Sequence, residues 1–207
     1  MQGLRFNAFL QCNLASCGEV VAMAGGYDVV DDDIDGEAWG TVEVLRPEIL
    51  FPAPWIIRIP SATPSAVKDP ILAAFRLYWV DPSSSANKLR VSVEALLTEF
   101  KIPRYNKPRR TKKRMPLSLA TRIERYGKKL NGGVTVGPRH PYEKLLHALR
   151  WVGNAGSHSG EEVDGEVLLH AFEIYEHVLE QVIEKRPAAM GQIAQALIAS
   201  KGAKATR

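Results

Sequence analysis

The chain has 207 residues, of which 45% are hydrophobic and 24% charged, and a formal net charge of +4. This supports one domain with a core, or one domain plus a small appendage, and excludes a chain disordered throughout. No apolar run approaches ~20 residues, which excludes a helical membrane span. The opening MQGLRFNAFLQCNLASCGE lacks the basic-then-apolar layout of a secretory signal. With only two cysteines, the expectation is a protein of the reducing cytoplasm, with no membrane partner.

The charge is unevenly placed. Residues 1–60 hold nine acids and three bases, a net of −6, whereas 61–207 hold fourteen acids and twenty-four bases, a net of +10. Residues 101–150 alone hold fifteen bases against two acids. Such asymmetry points to nucleic acid or another polyanion, with a solvated basic loop as the plain alternative.

In chain order, residues 1–60 form a small segment of short strands and turns. Apolar and β-branched residues cluster at Val20–Ala24, Val29–Val30, Thr41–Leu45 and Trp55–Ile59, punctuated by Gly25-Gly26 and the acidic DDDIDGE. Prolines 47, 52, 54, 60 and 64 mark a linker-like passage, because proline removes a backbone donor and fixes φ. A helical domain is expected over 61–187. Its first helix starts at Ser65 and carries Ile71, Leu72, Phe75, Tyr78 and Trp79. Asp81-Pro82 is a start signal for a second, whose stripe is Leu89, Val93, Leu96, Leu97 and Phe100. KIPRYNKPRRTKKRMP (101–116), with eight bases, three prolines and no acid, reads as an exposed loop. Leu117, Leu119, Ile123, Tyr126 and Leu130 predict a third helix. Leu145, Leu146, Leu149, Trp151 and Val152 predict a fourth, stopped by Gly153. Asp164 caps a long fifth helix with core positions from Val167 to Ile183, ended by Pro187. Residues 188–207 are expected to be a short helix and a basic tail. The fold class is therefore mainly α, with about five helices and a small β-rich N-terminal segment.

Four constellations bear on chemistry. Cys12 and Cys17, spaced C-x4-C before Gly18, look like half of a zinc ribbon. No second cysteine pair exists, and all five histidines lie beyond residue 139. The expectation is two ordinary thiols, no metal and no cofactor. Arg90 and Glu94 are i, i+4 neighbours, either a helix-face ion pair or a Glu94 turned inward to hold Arg150 or His158. His170 and His177, seven apart, do not make a metal pair. In RWVGNAGSH (150–158), Arg150, Asn154 and His158 form either a hydrogen-bonded corner between two helices or a site for RNA scission. There imidazole would take a proton and guanidinium would stabilise charge on phosphorus. The basic residues Arg104, Lys107, Arg109, Arg110, Lys112, Lys113 and Arg114 are the candidates for phosphate contact.

IPSATPSAVKDPILAAFRLYWVDPSSSANKLRVSVEALL, PLSLATRIERYG and ALRWVGNAGSH with the following GEVLLHAFEIYEHVLEQVIEK resemble successive parts of the bacterial domain-of-unknown-function family 4145. The resemblance covers roughly residues 60–186. It implies a HEPN-like helical bundle, a superfamily that often dimerises and includes metal-independent RNases of toxin–antitoxin and phage-defence systems. The superfamily's motif places histidine five to seven positions after arginine; here His158 lies eight after Arg150, and Trp151 follows the arginine. The resulting expectation is an accessory protein that binds RNA, DNA or a protein partner in phage defence or restriction, and forms a homodimer. The alternative is a weak metal-independent endoribonuclease using Arg150 and His158, with Asn154 and Glu94 in support.

Overall fold

The computed structural model describes residues 4–34, 38–106, 114–133, 140–158, 163–184 and 195; for 31–34, 38–39, 157 and 158 it describes the backbone alone. The N-terminal segment forms a three-stranded antiparallel sheet of β1 (Leu4–Gln11), β2 (Val20–Ile34) and β3 (Ala38–Phe51), with β2 in the middle. Its register sets Phe9 opposite Ala22 and Ala22 opposite Phe51.

The strands are longer than the short clusters expected. Gly25-Gly26 does not end a strand but lies inside β2, where the register shifts between Ala24 and Gly25. A side chain at Gly25 would strike the Arg46 carbonyl oxygen, so glycine permits the close approach of β3 at this bulge. Trp55–Ile59 is not a strand. Prolines on both sides of it withhold ladder donors, and Ile57 and Ile59 instead bury their side chains in the helical core.

Five helices follow among the described residues: α1 (Ser65–Tyr78), α2 (Pro82–Glu99), α3 (Leu119–Leu130), α4 (Pro141–His158) and α5 (Gly165–Leu179), the last continuing as a π-helical turn, Glu180–Glu184. Three starts are capped as their sequences dictate. Asp81 accepts from the Ser84 N–H at 2.8 Å, Ser118 from Thr121 N–H at 3.1 Å, and Asp164 from Glu166 N–H at 2.7 Å. The α2 helix is central and touches the other four. Its buried Leu89, Val93, Leu96 and Leu97 meet Ile71 and Phe75 of α1, Leu146 and Leu149 of α4, and Phe172 and Tyr175 of α5 in one core. Two serines on α2 are also buried. Ser85 donates to the Ala74 carbonyl at 2.8 Å; Ser92 donates to the Val67 carbonyl at 2.7 Å and shares a 2.7 Å bond with the Tyr175 hydroxyl.

The α4 helix departs from expectation: it is not stopped at Gly153 but runs through Gly153, Asn154 and Gly156 to His158. The glycines serve contact rather than termination. A Cβ on Gly153 would lie 2.6 Å from Arg90 Cβ and 3.1 Å from the Ala86 carbonyl oxygen, and one on Gly156 would strike the Ser83 carbonyl oxygen. The two helices therefore run antiparallel, with α2 backbone pressed into the glycine face of α4. Two apolar positions also differ. Trp151 is 64% exposed, and Val167 is 48% exposed rather than in the core of α5.

Candidate nucleic-acid interface

The basic stretch begins where α2 ends. Lys101 takes a positive φ of 62°, Ile102 turns back into the core, and its N–H donates to the Leu97 carbonyl at 2.9 Å. The chain then forms a short antiparallel stem, β4 (Tyr105–Asn106) with β5 (Met115–Pro116). The Leu117 N–H closes it by donating to the Arg104 carbonyl at 2.9 Å, and Ser118 starts α3 immediately after. Arg104 and Arg114 are exposed at the two feet of this stem. Lys107, Arg109, Arg110, Lys112 and Lys113 lie outside the described residues.

The end of α2, from which the chain enters the stem, is tied to α3. Phe100 and Tyr126 stack with ring centres 5.0 Å apart and planes 7° from parallel, and Lys129 Nζ donates to the Phe100 carbonyl at 2.9 Å. Arg122 is 97% buried, being 3% exposed. Its Nη2 donates to Thr98 Oγ1 at 2.8 Å and to the Ile102 carbonyl at 3.3 Å, whereas its Nε has no hydrogen-bond partner among the described residues. Burial, and secondarily the charge of Arg104, lower the Arg122 pKa; Glu94 opposes them. Arg104, Arg122 and Glu94 together line a cavity of about 170 Å³, walled also by Tyr105, Pro116, Leu117 and Leu119. Arg122 was missed in the sequence. The available signal was its place in the stripe Leu119, Arg122, Ile123, Tyr126, where the spacing demands a buried side chain.

The residues of RWVGNAGSH are not gathered at a corner. Arg150 and His158 lie on one unbroken helix, eight residues and so about 12 Å apart along its axis. The Arg150 guanidinium lies over the Trp151 ring, 4.3 Å from its centre, and its Nε is buried without a hydrogen bond among the described residues. Asn154 is half-buried; the His158 side chain lies outside the described residues. Arg90 Nε stands 3.6 Å from Glu94 Oε1, a long pair between half-buried groups. Glu94 therefore faces Arg90 and the Arg104–Arg122 cavity.

Cys12 and Cys17 are exposed, unbridged thiols at the β1–β2 turn, which the Cys12 N–H closes by donating to the Glu19 carbonyl at 2.9 Å. Gly18 follows at φ +60°, a conformation glycine adopts without strain. His170 and His177 are exposed on α5. Among the described residues no group of three or more metal-ligating side chains converges, and no helix is long and apolar enough to cross a membrane.

No curated protein and no solved structure matches the chain. The model of the family described as "Domain of unknown function (DUF4145)" matches residues 73–201, which take in α2 to α5 and the basic stem. Spanning well over half of the sequence, that match shows that the chain belongs to the DUF4145 family.

Proposed function

We propose that this protein binds nucleic acid through its phosphates without cutting it, on a bundle of the HEPN-like kind. One observation carries the reading. The stretch Lys101–Arg114, with eight bases and no acid, leaves and re-enters the bundle through the β4–β5 stem, whose pairing holds its two ends together. Eight like charges within fourteen residues repel one another along the sequence, and a polyanion would neutralise them. Tyr105 is the only aromatic residue in the stretch, which supplies little base stacking and favours contact with phosphates over reading of sequence.

The separation of Arg150 from His158 supports binding without scission. Within one chain the Arg150 guanidinium is engaged by the Trp151 ring, 4.3 Å from its centre, and its backbone stands about 12 Å along α4 from that of His158. The test uses labelled single- and double-stranded RNA and DNA at low salt, with the wild type and a variant carrying Ser at Arg109, Arg110, Lys112 and Lys113. Retention of intact nucleic acid by the wild type, and its loss in a folded variant, is the expected result. Absence of binding at low salt overturns the proposal. Cleaved RNA, abolished by His158→Ala, would replace it with the endoribonuclease reading.

A further inference from the structure

The cavity behind the stem has the features of a built anion site. Arg122 is buried, yet no carboxylate among the described residues lies within ion-pairing distance of it. A guanidinium has five N–H groups, and two hydrogen bonds leave several without a protein partner. A buried cation in that condition is costly unless an anion or water completes it. Arg104 lines the same cavity from the exposed side, so two positive charges meet across it. Glu94 is the one acid among the described residues on the wall, and Arg90 faces it at 3.6 Å. With Arg90 counted, three cations stand around this cavity against Glu94, and Glu99 on the adjoining one brings the pair to a net of +1, which still favours an anion. The volume, about 170 Å³, is that of roughly five waters. This holds a phosphate and part of a sugar, not a run of nucleotides. A second cavity of about 190 Å³ adjoins it at Glu94 and Arg104 and is walled by Ala66, Val91 and Ala95 of α1 and α2. It offers apolar surface beside two acceptors, Glu94 and Glu99.

We infer that this paired cavity binds the phosphate monoester of a nucleotide, with the phosphate between Arg122 and Arg104 and the nucleoside over Val91 and Ala95. Glu94 accepts from a sugar hydroxyl or a base amino group. The inference rests on the nucleic-acid reading for one of its two sources, the phosphorylated end of a strand; the other source is a free nucleotide. Continuous phosphodiester lies along the basic stretch, and the cavity takes the end.

The experiment compares one short labelled oligonucleotide in three forms: 5′-phosphorylated, 3′-phosphorylated and unphosphorylated. Adenosine and adenosine monophosphate serve as competitors. One phosphorylated form is expected to bind about ten- to a hundredfold more tightly than the unphosphorylated form. The monophosphate, and not adenosine, should displace that increment. Arg104→Gln, an exposed side chain whose backbone alone serves the stem, should abolish the ratio between the phosphorylated and unphosphorylated forms, and since Arg104 also belongs to the basic stretch it should lower the weak binding common to all three forms. Arg122→Lys should reduce the increment, since an ammonium cannot reproduce the guanidinium fork; should that variant not fold, Arg104→Gln carries the test. Equal affinity for all three forms with no binding of the monophosphate, an increment unchanged in Arg104→Gln, or competition by adenosine equal to that of the monophosphate overturns the cavity assignment and leaves the basic-stretch reading intact; equal affinity with binding of the monophosphate but not adenosine assigns the cavity to the free nucleotide. Binding of the monophosphate, but not adenosine, with no binding of any oligonucleotide supports the cavity and removes the strand. No binding of any probe overturns both.

Discussion

A methyl group added at Gly156 would run into the Ser83 carbonyl oxygen, and one at Gly153 into the Arg90 Cβ. Alanine is the better helix former by about 1 kcal/mol, so a glycine that merely ended or loosened α4 would be improved by the change. Close contact reverses the sign. Gly156→Ala should destabilise the protein by about 1–3 kcal/mol, the range for forced overpacking, as read from a denaturant midpoint at unchanged slope. A gain in stability would show that α4 does not lie against α2 here. Tyrosine ionisation supplies a second residue-level test. Burial, with Tyr142 adding to it, pushes the Tyr126 phenol up to about 12 from an ordinary 10.0. Below pH 10 both states are neutral and this contribution is fully present. Above it the unfolded tyrosine ionises while the folded one does not, so stability falls toward pH 12 by about 1.4 kcal/mol per unit. Tyr126→Phe keeps the ring against Phe100 and should flatten the alkaline limb. Tyr175, buried and bonded to Ser92, is raised further and leaves the remaining slope. An identical alkaline limb in the variant would mean that Tyr126 is not buried.

At the scale of elements, the helix starts were legible because they are written in adjacent residues. Asp81 before Pro82, and Asp164 before Gly165, each satisfy amide groups within the following turn. Asp81→Ala should cost about 1 kcal/mol. The Ser84 hydrogen bonds hold the Asp81 carboxyl below its usual value. The cap's contribution is therefore present above pH ~4 and lost as pH falls through the folded value, so wild type and variant should converge in acid. A constant difference down to the lowest pH would contradict the cap. The helix faces were legible too, from the spacing of Leu89, Val93, Leu96 and Leu97. The end of α4 was not. A glycine that stops a helix and a glycine that admits a neighbouring helix are the same letter, and only the antiparallel approach of Ser83, Ala86 and Arg90 separates them. Arg122 was hidden for a related reason: its charge argued for the surface, while its place beside Ile123 in the stripe argued for the core. The long β2–β3 pairing escaped notice because Gly25-Gly26 and the aspartates after Val30 read as turn signals, although the strands carry them through a bulge and onward.

Across the whole molecule, the core begins at Ile57 and is contributed by the helical region and the segment entering it. The sheet leaves Phe9, Leu45, Ile49 and Phe51 exposed. A chain beginning at Trp55 should therefore retain its helical signal, with a melting temperature within a few degrees of the intact protein. Loss of cooperative unfolding would place the sheet within the cooperative unit. The same division assigns the acidic surplus of residues 1–60 and the basic surplus of the rest to different parts of the chain, with Arg104 and Arg114 exposed beside the β4–β5 stem, the stretch proposed to meet phosphates. The most direct test of that role is the salt dependence of binding to a single-stranded oligonucleotide. A phosphate-directed site predicts that log K falls linearly with log salt, with a slope of about −0.7 for each phosphate neutralised. The slope should become shallower when Arg109, Arg110, Lys112 and Lys113 are replaced by serine. A slope near zero, or one that those replacements leave unchanged, would contradict the account.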